Sequence, residues 1–261
     1  MELSQRRGRL VKRLAASKTR AKEGLVLVEG VRAVTQVLDA SSTVSFAVTS
    51  PRLVATVDGG ALAARLARED SVFDVIQVTD GDLTLLSATD HPQGVLLICE
   101  EPEASFEQLL AEAGKLLVLD AVQDPGNVGT LIRSAVAFGM NGVVALDGTG
   151  DPFGAKAVRA SAGTTFLIPV VRCTAEEAIG GFASIGLPLL VASAEGEVRR
   201  RALTSAKGFA LALGNEGAGT REAVRSAAAG TIAVEMTGPV ESLNVGIAGS
   251  ILMHELTRAD R

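Results

Sequence analysis

Three polar segments in the second half of this chain carry residue types that could bind a polar ligand and do chemistry on it. They are Asp124-Pro125-Gly126-Asn127-Val128-Gly129 followed by Arg133, then Gly214-Asn215-Glu216-Gly217-Ala218-Gly219, and then Glu241-Ser242-Leu243-Asn244-Val245. Carboxylate, amide, hydroxyl and guanidinium groups can orient a substrate and stabilise developing charge. Each segment follows an apolar, strand-like run and leads into a helix-like one. Because ligands bind at the carboxyl ends of strands in an open α/β sheet, the three segments are predicted to form one site.

Each segment also has an ordinary structural explanation, which stays open at this point. Asn127 and Ser242 are both placed to cap the helix that follows. Arg133 lies off the apolar stripe of its helix and could face a ligand or simply solvent. The glycines around Glu216 suit a tight turn as well as a close approach to a ligand. Residues 214–219 lack the ending of a P-loop, and the chain has no convincing dinucleotide-binding fingerprint.

Strands and helices must alternate for these segments to meet. The sequence predicts strands over 115–122, 142–146, 165–171, 187–193, 208–213 and 231–236. Helices are predicted over 128–138, 156–160, 175–185, 221–229 and 242–258. This alternation predicts an α/β fold with a mainly parallel sheet. Small residues on the last helix (Gly246, Ala248 and Gly249) predict close packing by another helix, a second subunit or a crossing loop.

The first hundred residues predict a separate, smaller α/β unit. Strands over 25–28, 44–48, 72–78 and 95–98 alternate with helices over 31–38 and 61–68. An acidic, proline-containing stretch at 100–107 indicates a linker. We therefore expect a small domain over residues 1–100, a linker over 101–112 and a larger domain over 113–261.

The N-terminal segment is strongly basic, although the whole chain has a net charge of −5. Residues 1–22 hold eight basic side chains and one acid. This asymmetry favours either a polyanion contact or a solvated first helix, and both readings stay open. Tyr and Trp are absent, so a nucleic-acid partner would be bound through phosphates and shape rather than by base stacking.

Other features argue against membrane, secreted and metal-dependent proteins. No apolar run approaches the roughly 18 residues of a membrane span, and no apolar segment follows the first basic residues. The two cysteines, Cys99 and Cys173, stand alone, and there are two histidines. We therefore expect no metal site and a cytoplasmic location.

In their order and separation, the three polar segments closely resemble those of the SpoU/TrmH family of RNA ribose 2′-O-methyltransferases, within the SPOUT superfamily. The similarity covers about residues 115–258. More weakly, residues 18–22, 27–30 and 92–95 are similar to the family's N-terminal domain. The resemblance implies a mainly parallel sheet with helices on both faces and a deep trefoil knot, preceded by a small α/β, ribosomal-protein-like RNA-binding domain.

The resemblance also implies S-adenosylmethionine as the cofactor, held largely by backbone groups. Carried over by position, the cofactor contacts are Ser193, Gly214, Val234, Met236, Leu243 and Asn244. Because this cofactor carries the reactive methyl group, neither a metal nor a covalent nucleophile is required.

The implied reaction is attack of a ribose 2′-oxygen on the sulfonium methyl group. The polar active-site positions of the family correspond here to Asn127, Arg133, Glu216, Ser242 and Asn244. We expect Arg133 to be central, either as a base or, since a guanidinium is normally always charged, as a stabiliser of the developing alkoxide. Glu216 and Asn127 are expected to orient Arg133, while Ser242 and Asn244 shape the pocket.

The implied partners are RNA, most readily 23S ribosomal RNA, and a second copy of the chain in a homodimer. The candidate RNA contacts are Arg9, Arg13, Lys18, Arg20, Lys22 and Arg133. Three alternatives are a tRNA 2′-O-methyltransferase, a catalytically silent RNA-binding ribosome-assembly factor and an enzyme that methylates a base nitrogen. The presence of Arg133, Glu216 and Asn244 argues against the silent factor, and base-methylating relatives carry different motifs.

Overall fold

The computed structural model describes residues 3–112, 114–194 and 208–258. The chain divides into two compact units. The first contains Met1–Pro102 together with Phe153–Leu167, and the second contains Glu103–Pro152 and Ile168–Arg261. A stretch from the middle of the sequence therefore belongs to the first unit.

Helices and strands alternate along the described residues. The helices are α1 (Gln5–Arg13), α2 (Ser17–Glu23), α3 (Val31–Asp39), α4 (Val57–Glu69), α5 (Asp80–Leu86), α6 (Phe106–Ala111), α7 (Pro125–Ala137), α8 (Ala155–Ala160), α9 (Ala175–Ser184), α10 (Glu222–Ser226) and α11 (Val245–Arg258). The strands are β1 (Leu25–Glu29), β2 (Val44–Thr49), β3 (Asp74–Gln77), β4 (Val95–Glu100), β5 (Lys115–Asp120), β6 (Gly142–Leu146), β7 (Val170–Cys173), β8 (Leu189–Ala192), β9 (Phe209–Gly214) and β10 (Gly230–Ile232). None of these helices is long and apolar enough to cross a membrane.

The first unit is built on a four-stranded sheet with the order β1-β4-β2-β3. Strand β4 is antiparallel to both β1 and β2, and β3 is parallel to β2. One core cluster joins this sheet to α1 and α5, and it includes Val11, Leu14, Phe46 and Leu83. The segment 153–167 adds α8, which packs against β1, and a 3-10 turn, Thr164–Leu167, which packs against α3.

The second unit is built on a six-stranded, fully parallel sheet with the order β10-β8-β9-β5-β6-β7. Its strands are nearly continuous apolar runs, as expected for strands covered on both faces. One face packs against α6, α9 and α10. Helices α7 and α11 pack against each other, and α11 also contacts β9. The predicted α/β fold with a mainly parallel sheet is confirmed.

The strand predicted over 165–171 was wrong in its first half. Residues 164–167 form the 3-10 turn, and β7 begins only at Val170. Gly163 adopts the left-handed region (φ +84°), and Pro169 has no N–H to offer a strand ladder. Phe166 instead packs edge-to-face on Phe153, with 5.6 Å between ring centroids.

Candidate active site

The first polar segment is a turn between β5 and α7 that is capped by Asp124. The Asp124 carboxylate accepts hydrogen bonds from the N–H groups of Gly126 (2.6 Å) and Asn127 (3.1 Å). The prediction that Asn127 caps this helix was therefore wrong. Pro125 occupies the first helical position, which its fixed φ favours, so the cap falls on the residue before it. The Asn127 side chain is thereby available for other contacts.

A chain of hydrogen bonds joins all three segments through Asn127. The Asn244 amide donates to Asn127 Oδ1 at 3.0 Å, and the Asn127 amide donates to Glu216 Oε1 at 3.0 Å. Glu216 also accepts from the N–H groups of Gln123 (3.2 Å) and Asp124 (3.1 Å). The sequence prediction that these segments meet in space is confirmed.

Glu216 is held as a carboxylate by its donors. Partial burial by itself would raise its pKa, but hydrogen bonds from the Asn127 amide and from the N–H groups of Glu216, Gln123 and Asp124 lower the pKa below 4.5. The side chain is therefore ionised at neutral pH. Because its oxygens accept from Gln123, Asp124 and Asn127, Glu216 anchors the turn between β5 and α7.

We expect Glu216→Gln to destabilise the protein in a pH-dependent way. At pH 7 the free energy of unfolding should fall by about 1 kcal/mol, since hydrogen bonds to a charged acceptor are lost at a solvent-screened position. Because the folded-state pKa is depressed, this contribution is complete above pH 4.5 and is lost as the pH falls through the lowered value. Urea unfolding between pH 7 and 3 would measure the difference between the two proteins. A difference that does not shrink below pH 4.5 would contradict the assignment.

The third segment ends in the cap of α11, and that cap is Asn244. Its side-chain oxygen accepts from the N–H groups of Gly246 (2.9 Å) and Ile247 (3.3 Å). The prediction that Ser242 caps this helix was wrong, because α11 begins at Val245 and Asn244 directly precedes it. Ser242 is instead an exposed residue at the wall of a cavity.

The small residues of α11 allow close contacts within the chain. A Cβ on Gly249 would lie 2.4 Å from side-chain carbons of Leu131 on α7 and Leu213 on β9. A Cβ on Gly246 would lie 3.4 Å from Asn127 Oδ1. Of the three packing partners that the sequence left open, the structure shows another helix, α7.

We expect Asn244→Ala to lower the free energy of unfolding by about 1 kcal/mol, the usual cost of a lost helix cap. The variant also releases Asn127 from one partner. Ser242→Ala is the matched control and should stay within about 0.5 kcal/mol of the parent, because Ser242 caps nothing in the structure. Urea unfolding of both variants measures this. Equal losses in the two variants would be inconsistent with Asn244 as the cap.

A cavity of about 410 Å³ opens at the carboxyl ends of β8, β9 and β10. This volume lies in the usual range for small-molecule sites. The cavity is lined by all six predicted cofactor contacts and by two further predicted site residues: Ser193, Gly214, Val234, Met236, Leu243, Asn244, Glu216 and Ser242. The structure therefore brings these residues together around one space.

The chemistry of the cavity fits the cofactor that the resemblance implies. Strand β10 is shorter than predicted and ends at Ile232, so the chain beyond it leaves the sheet. Within the described residues, the backbone groups of 234–243 make no hydrogen bond to protein, which leaves donors and acceptors for a ligand. Leu213, Ile232 and Leu252 supply apolar walls. Gly214 has no room for a side chain, since a Cβ would lie 2.2 Å from the Thr220 nitrogen.

Arg133 stands apart from this hydrogen-bonded chain. It is exposed on α7, six residues or about 9 Å of helix beyond Asn127, and it does not line the cavity. Within residues 3–112, 114–194 and 208–258, no hydrogen bond or ion pair holds its guanidinium. The hypothesis that Glu216 and Asn127 orient Arg133 thus has no support here, because Glu216 binds Asn127 and the turn instead.

The predicted basic RNA contacts of the first unit fall into two groups. Arg9, Arg13, Lys18 and Lys22 are exposed on α1 and α2. Arg20 is 4% exposed and donates to the carbonyl oxygens of Leu14 (2.6 Å) and Ala15 (2.9 Å), just beyond the end of α1. The prediction of Arg20 as an RNA contact is corrected, because the last carbonyls of a helix need donors and Arg20 supplies them.

Sequence reasoning missed a group of residues that shape the second segment. The Asn215 amide donates to the Ala121 carbonyl at 3.0 Å, and its oxygen accepts from the N–H groups of Gly217 and Ala218. Ala121 itself adopts the left-handed region (φ 57°). Asn side chains often accept from a backbone N–H two residues further on and so form turns, and Asn215 with Gly217 at that spacing could have indicated this. Among the described residues, no group of three His, Cys, Asp or Glu is placed to hold a metal ion.

Comparisons with known proteins match both parts of the chain. The SpoU rRNA Methylase family matches residues 114–254, and an MRM3-like substrate binding domain matches residues 7–97. The chain is 32% identical over 245 residues to the 23S rRNA (guanosine(2553)-2′-O)-methyltransferase RlmP of Bacillus subtilis (strain 168). The aligned region covers 94% of this chain and 93% of RlmP.

Solved structures give the same relationship. An AdoMet-bound rRNA methyltransferase from Sinorhizobium meliloti superposes with a TM-score of 0.85 at 27% identity, covering 99% of this chain and 97% of that one. A putative RNA methyltransferase of the TrmH family from Porphyromonas gingivalis gives a TM-score of 0.80 at 28% identity, and the superposition covers 99% of this chain and 100% of that one.

Proposed function

The chain belongs to the SpoU rRNA methylase family, and from this premise we propose that it transfers a methyl group from S-adenosylmethionine to a ribose 2′-hydroxyl of 23S ribosomal RNA. The observation that carries the proposal is the hydrogen-bonded chain from Asn244 through Asn127 to Glu216, which stands beside the 410 Å³ cavity. The 23S rRNA target rests on the similarity to RlmP, which extends over both domains.

The cavity residues are proposed to bind the cofactor mainly through the backbone. Ser193, Gly214, Val234, Met236 and Leu243 are the proposed contacts, with the backbone groups of 234–243, which bond to none of the described residues, as donors and acceptors. When bound, the cofactor supplies an electrophilic methyl group on a sulfonium sulfur. The apolar side chains of Leu213, Ile232 and Leu252 would pack against the apolar parts of the bound cofactor.

The polar residues in and beside the cavity are proposed to place the ribose. Asn127 is fixed by its hydrogen bonds to Glu216 and Asn244, and Asn244 and Ser242 line the cavity. Because the carboxylate of Glu216 is saturated with donors, we assign it a positioning role rather than that of the base.

Arg133 is proposed to act on the RNA as an electrostatic stabiliser. A guanidinium in a protein stays protonated, so it is suited to bind a flanking phosphate and to offset negative charge on the attacking oxygen. Its exposed position on α7, free of ion pairs within the described residues, suits a group that finds its partner only in the substrate. The ribose hydroxyl would lose its proton to solvent while its oxygen gains the methyl group, and the carbon–sulfur bond of the cofactor would break with its electron pair staying on sulfur.

The first unit is proposed to bind structured RNA as a ribosomal-protein-like domain. Arg9, Arg13, Lys18 and Lys22 are exposed on two consecutive helices, and the chain has no Tyr or Trp to stack on bases. Phosphate contacts should therefore dominate.

We also propose the trefoil knot, the homodimer and the cytoplasmic location that the resemblance implies. In support of the dimer, α11 exposes the apolar side chain of Ile247.

The test is transfer of labelled methyl from S-adenosylmethionine to unmodified 23S rRNA, with tRNA alongside, followed by alkaline digestion. Alkali cannot cut beside a 2′-O-methyl ribose, so a labelled, alkali-resistant dinucleotide from 23S rRNA is the expected product. Label in tRNA alone would assign the tRNA alternative. Cofactor binding without transfer to rRNA, tRNA or an intact ribosomal subunit would favour the assembly factor and overturn the proposal.

A further inference from the structure

The carboxyl ends of three neighbouring strands meet at one arginine outside the polar segments discussed so far. Strands β5 and β9 are paired so that Asp120 lies opposite Gly214, and β6 is the other neighbour of β5. Asp147 directly follows β6. Arg221 follows the loop 215–220, which leaves β9 and carries Glu216.

Arg221 binds both carboxylates at once. Its Nε lies 2.5 Å from Asp120 Oδ1, and its backbone N–H donates to Asp120 Oδ2 at 2.7 Å. Its Nη1 donates to both carboxylate oxygens of Asp147 at 3.1 Å, and its Nη2 donates to the Asp147 carbonyl at 2.6 Å. One guanidinium thus ties β5, β6 and the chain after β9 together.

The ion pair with Asp120 is in the interior of the second unit. The Asp120 side chain is 0% exposed and that of Arg221 is 30% exposed. A buried carboxylate is costly unless it is paired, and replacing such a pair by apolar packing often costs nothing in stability. The planar guanidinium of Arg221 fixes the direction of its hydrogen bonds as well as supplying charge. Its role is therefore better explained as positioning the chain around it than as adding to the stability of the protein.

The loop 215–220 is fixed at its other end by Asn215. Asn215 and Gly219 exchange two backbone hydrogen bonds of 3.0 and 2.9 Å, and the Asn215 amide binds Ala121. Between these two anchors, Glu216 and Gly219 line the cavity. The bonds of Asn215 fix the start of the loop but not its end. Arg221 fixes the end, because it binds the carboxylates at the ends of the neighbouring strands.

We propose that Arg221 is a positioning residue for the cofactor cavity. By binding Asp120 and Asp147 together, it holds the loop 215–220 so that Gly219 forms the cavity wall and Glu216 reaches Asn127. The proposal rests on the proposed function for the identity of the cofactor. The position of the loop, however, is measurable without any cofactor.

The test compares Arg221→Ala and Arg221→Lys with the full-length parent. We expect the Kd of S-adenosylmethionine, measured by calorimetry, to rise at least tenfold in Arg221→Ala, and less in Arg221→Lys, which keeps the charge but not the fork. Amide hydrogen exchange of the loop 215–220 without cofactor should speed up at least tenfold in Arg221→Ala. Dilute guanidinium chloride should lower the Kd of that variant again, whereas ammonium chloride at equal ionic strength should not.

Arg225→Ala is the matched control, because Arg225 lies on the following short helix and pairs with the exposed Glu222. It should leave affinity and exchange unchanged. Affinity and exchange within twofold of the parent in both Arg221 variants, or equal effects of guanidinium and ammonium, would overturn the proposal. If Arg221→Ala does not fold, Arg221→Lys decides by the same readouts. If the parent itself does not bind the cofactor, the proposed function fails, and the exchange data still decide the role of Arg221.

Discussion

Arg133→Ala is expected to lower the rate of methyl transfer by about 10²–10³-fold, the typical cost of removing one group that stabilises charge in a transition state. The Kd of S-adenosylmethionine should stay within about twofold of the parent value, since Arg133 does not line the cavity. Stability should also stay within about 0.5 kcal/mol, because this exposed side chain makes no ion pair within the described residues. Single-turnover transfer to 23S rRNA at saturating cofactor measures the loss.

Two further variants serve as controls for the Arg133→Ala result. Arg133→Lys keeps a positive charge without the planar fork and should retain an intermediate rate if Arg133 stabilises charge. Arg225→Ala removes an exposed arginine of the same unit and should transfer methyl at the parent rate. Nearly intact transfer by Arg133→Ala would show that the catalytic assignment is wrong. A parallel loss in Arg225→Ala would point to a general effect of surface charge.

Gly214→Ala is expected to weaken cofactor binding strongly. A Cβ at this position would lie 2.2 Å from the Thr220 nitrogen and 2.3 Å from the Gly219 carbonyl carbon, so backbone rather than a flexible side chain has to move. We expect at least a tenfold increase in the Kd of S-adenosylmethionine, and a loss of about 1–3 kcal/mol in the free energy of unfolding from overpacking. Calorimetry and urea unfolding give the two quantities.

The control is Gly217, a glycine of the loop 215–220 that directly follows Gly214. A Cβ on Gly217 would meet its nearest atom, Asn215 Oδ1, at 3.7 Å, which is an ordinary contact. Gly217→Ala should therefore bind the cofactor as the parent does. If the two variants behave alike, the closeness of the backbone at Gly214 does not govern the cavity.

The sheet of the second unit and the meeting of its polar segments were predictable from the sequence. Apolar runs such as 115–120 and 209–214 are long enough, and regular enough in their alternation with helices, to specify parallel strands. Parallel strands place their carboxyl ends at one edge, which brings Asn127 and Glu216 together. This part of the site follows from periodicity and topology alone.

What could not be predicted depends on competition between nearby residues or on distant partners. Asp124 and Asn127, like Ser242 and Asn244, are alternative caps within three residues of each other, and the register of the helix decides between them. Arg20 looks like any other basic residue until the end of α1 is placed beside it. The neighbours of Arg221 lie 74 and 101 positions away in sequence.

The segment 153–167 has a consequence for how this protein can be rearranged by recombination or by design. It is inserted between β6 and β7 of the catalytic sheet, yet it groups with the first unit, where Arg159 pairs with the buried Glu29 at 3.5 Å. A chimera joined at residue 102 would bring a foreign N-terminal part of the first unit without the segment 153–167 that completes this unit. The segments of the two units therefore alternate along the sequence. Exchanging the whole first unit requires three junctions, after residues 102, 152 and 167, rather than one.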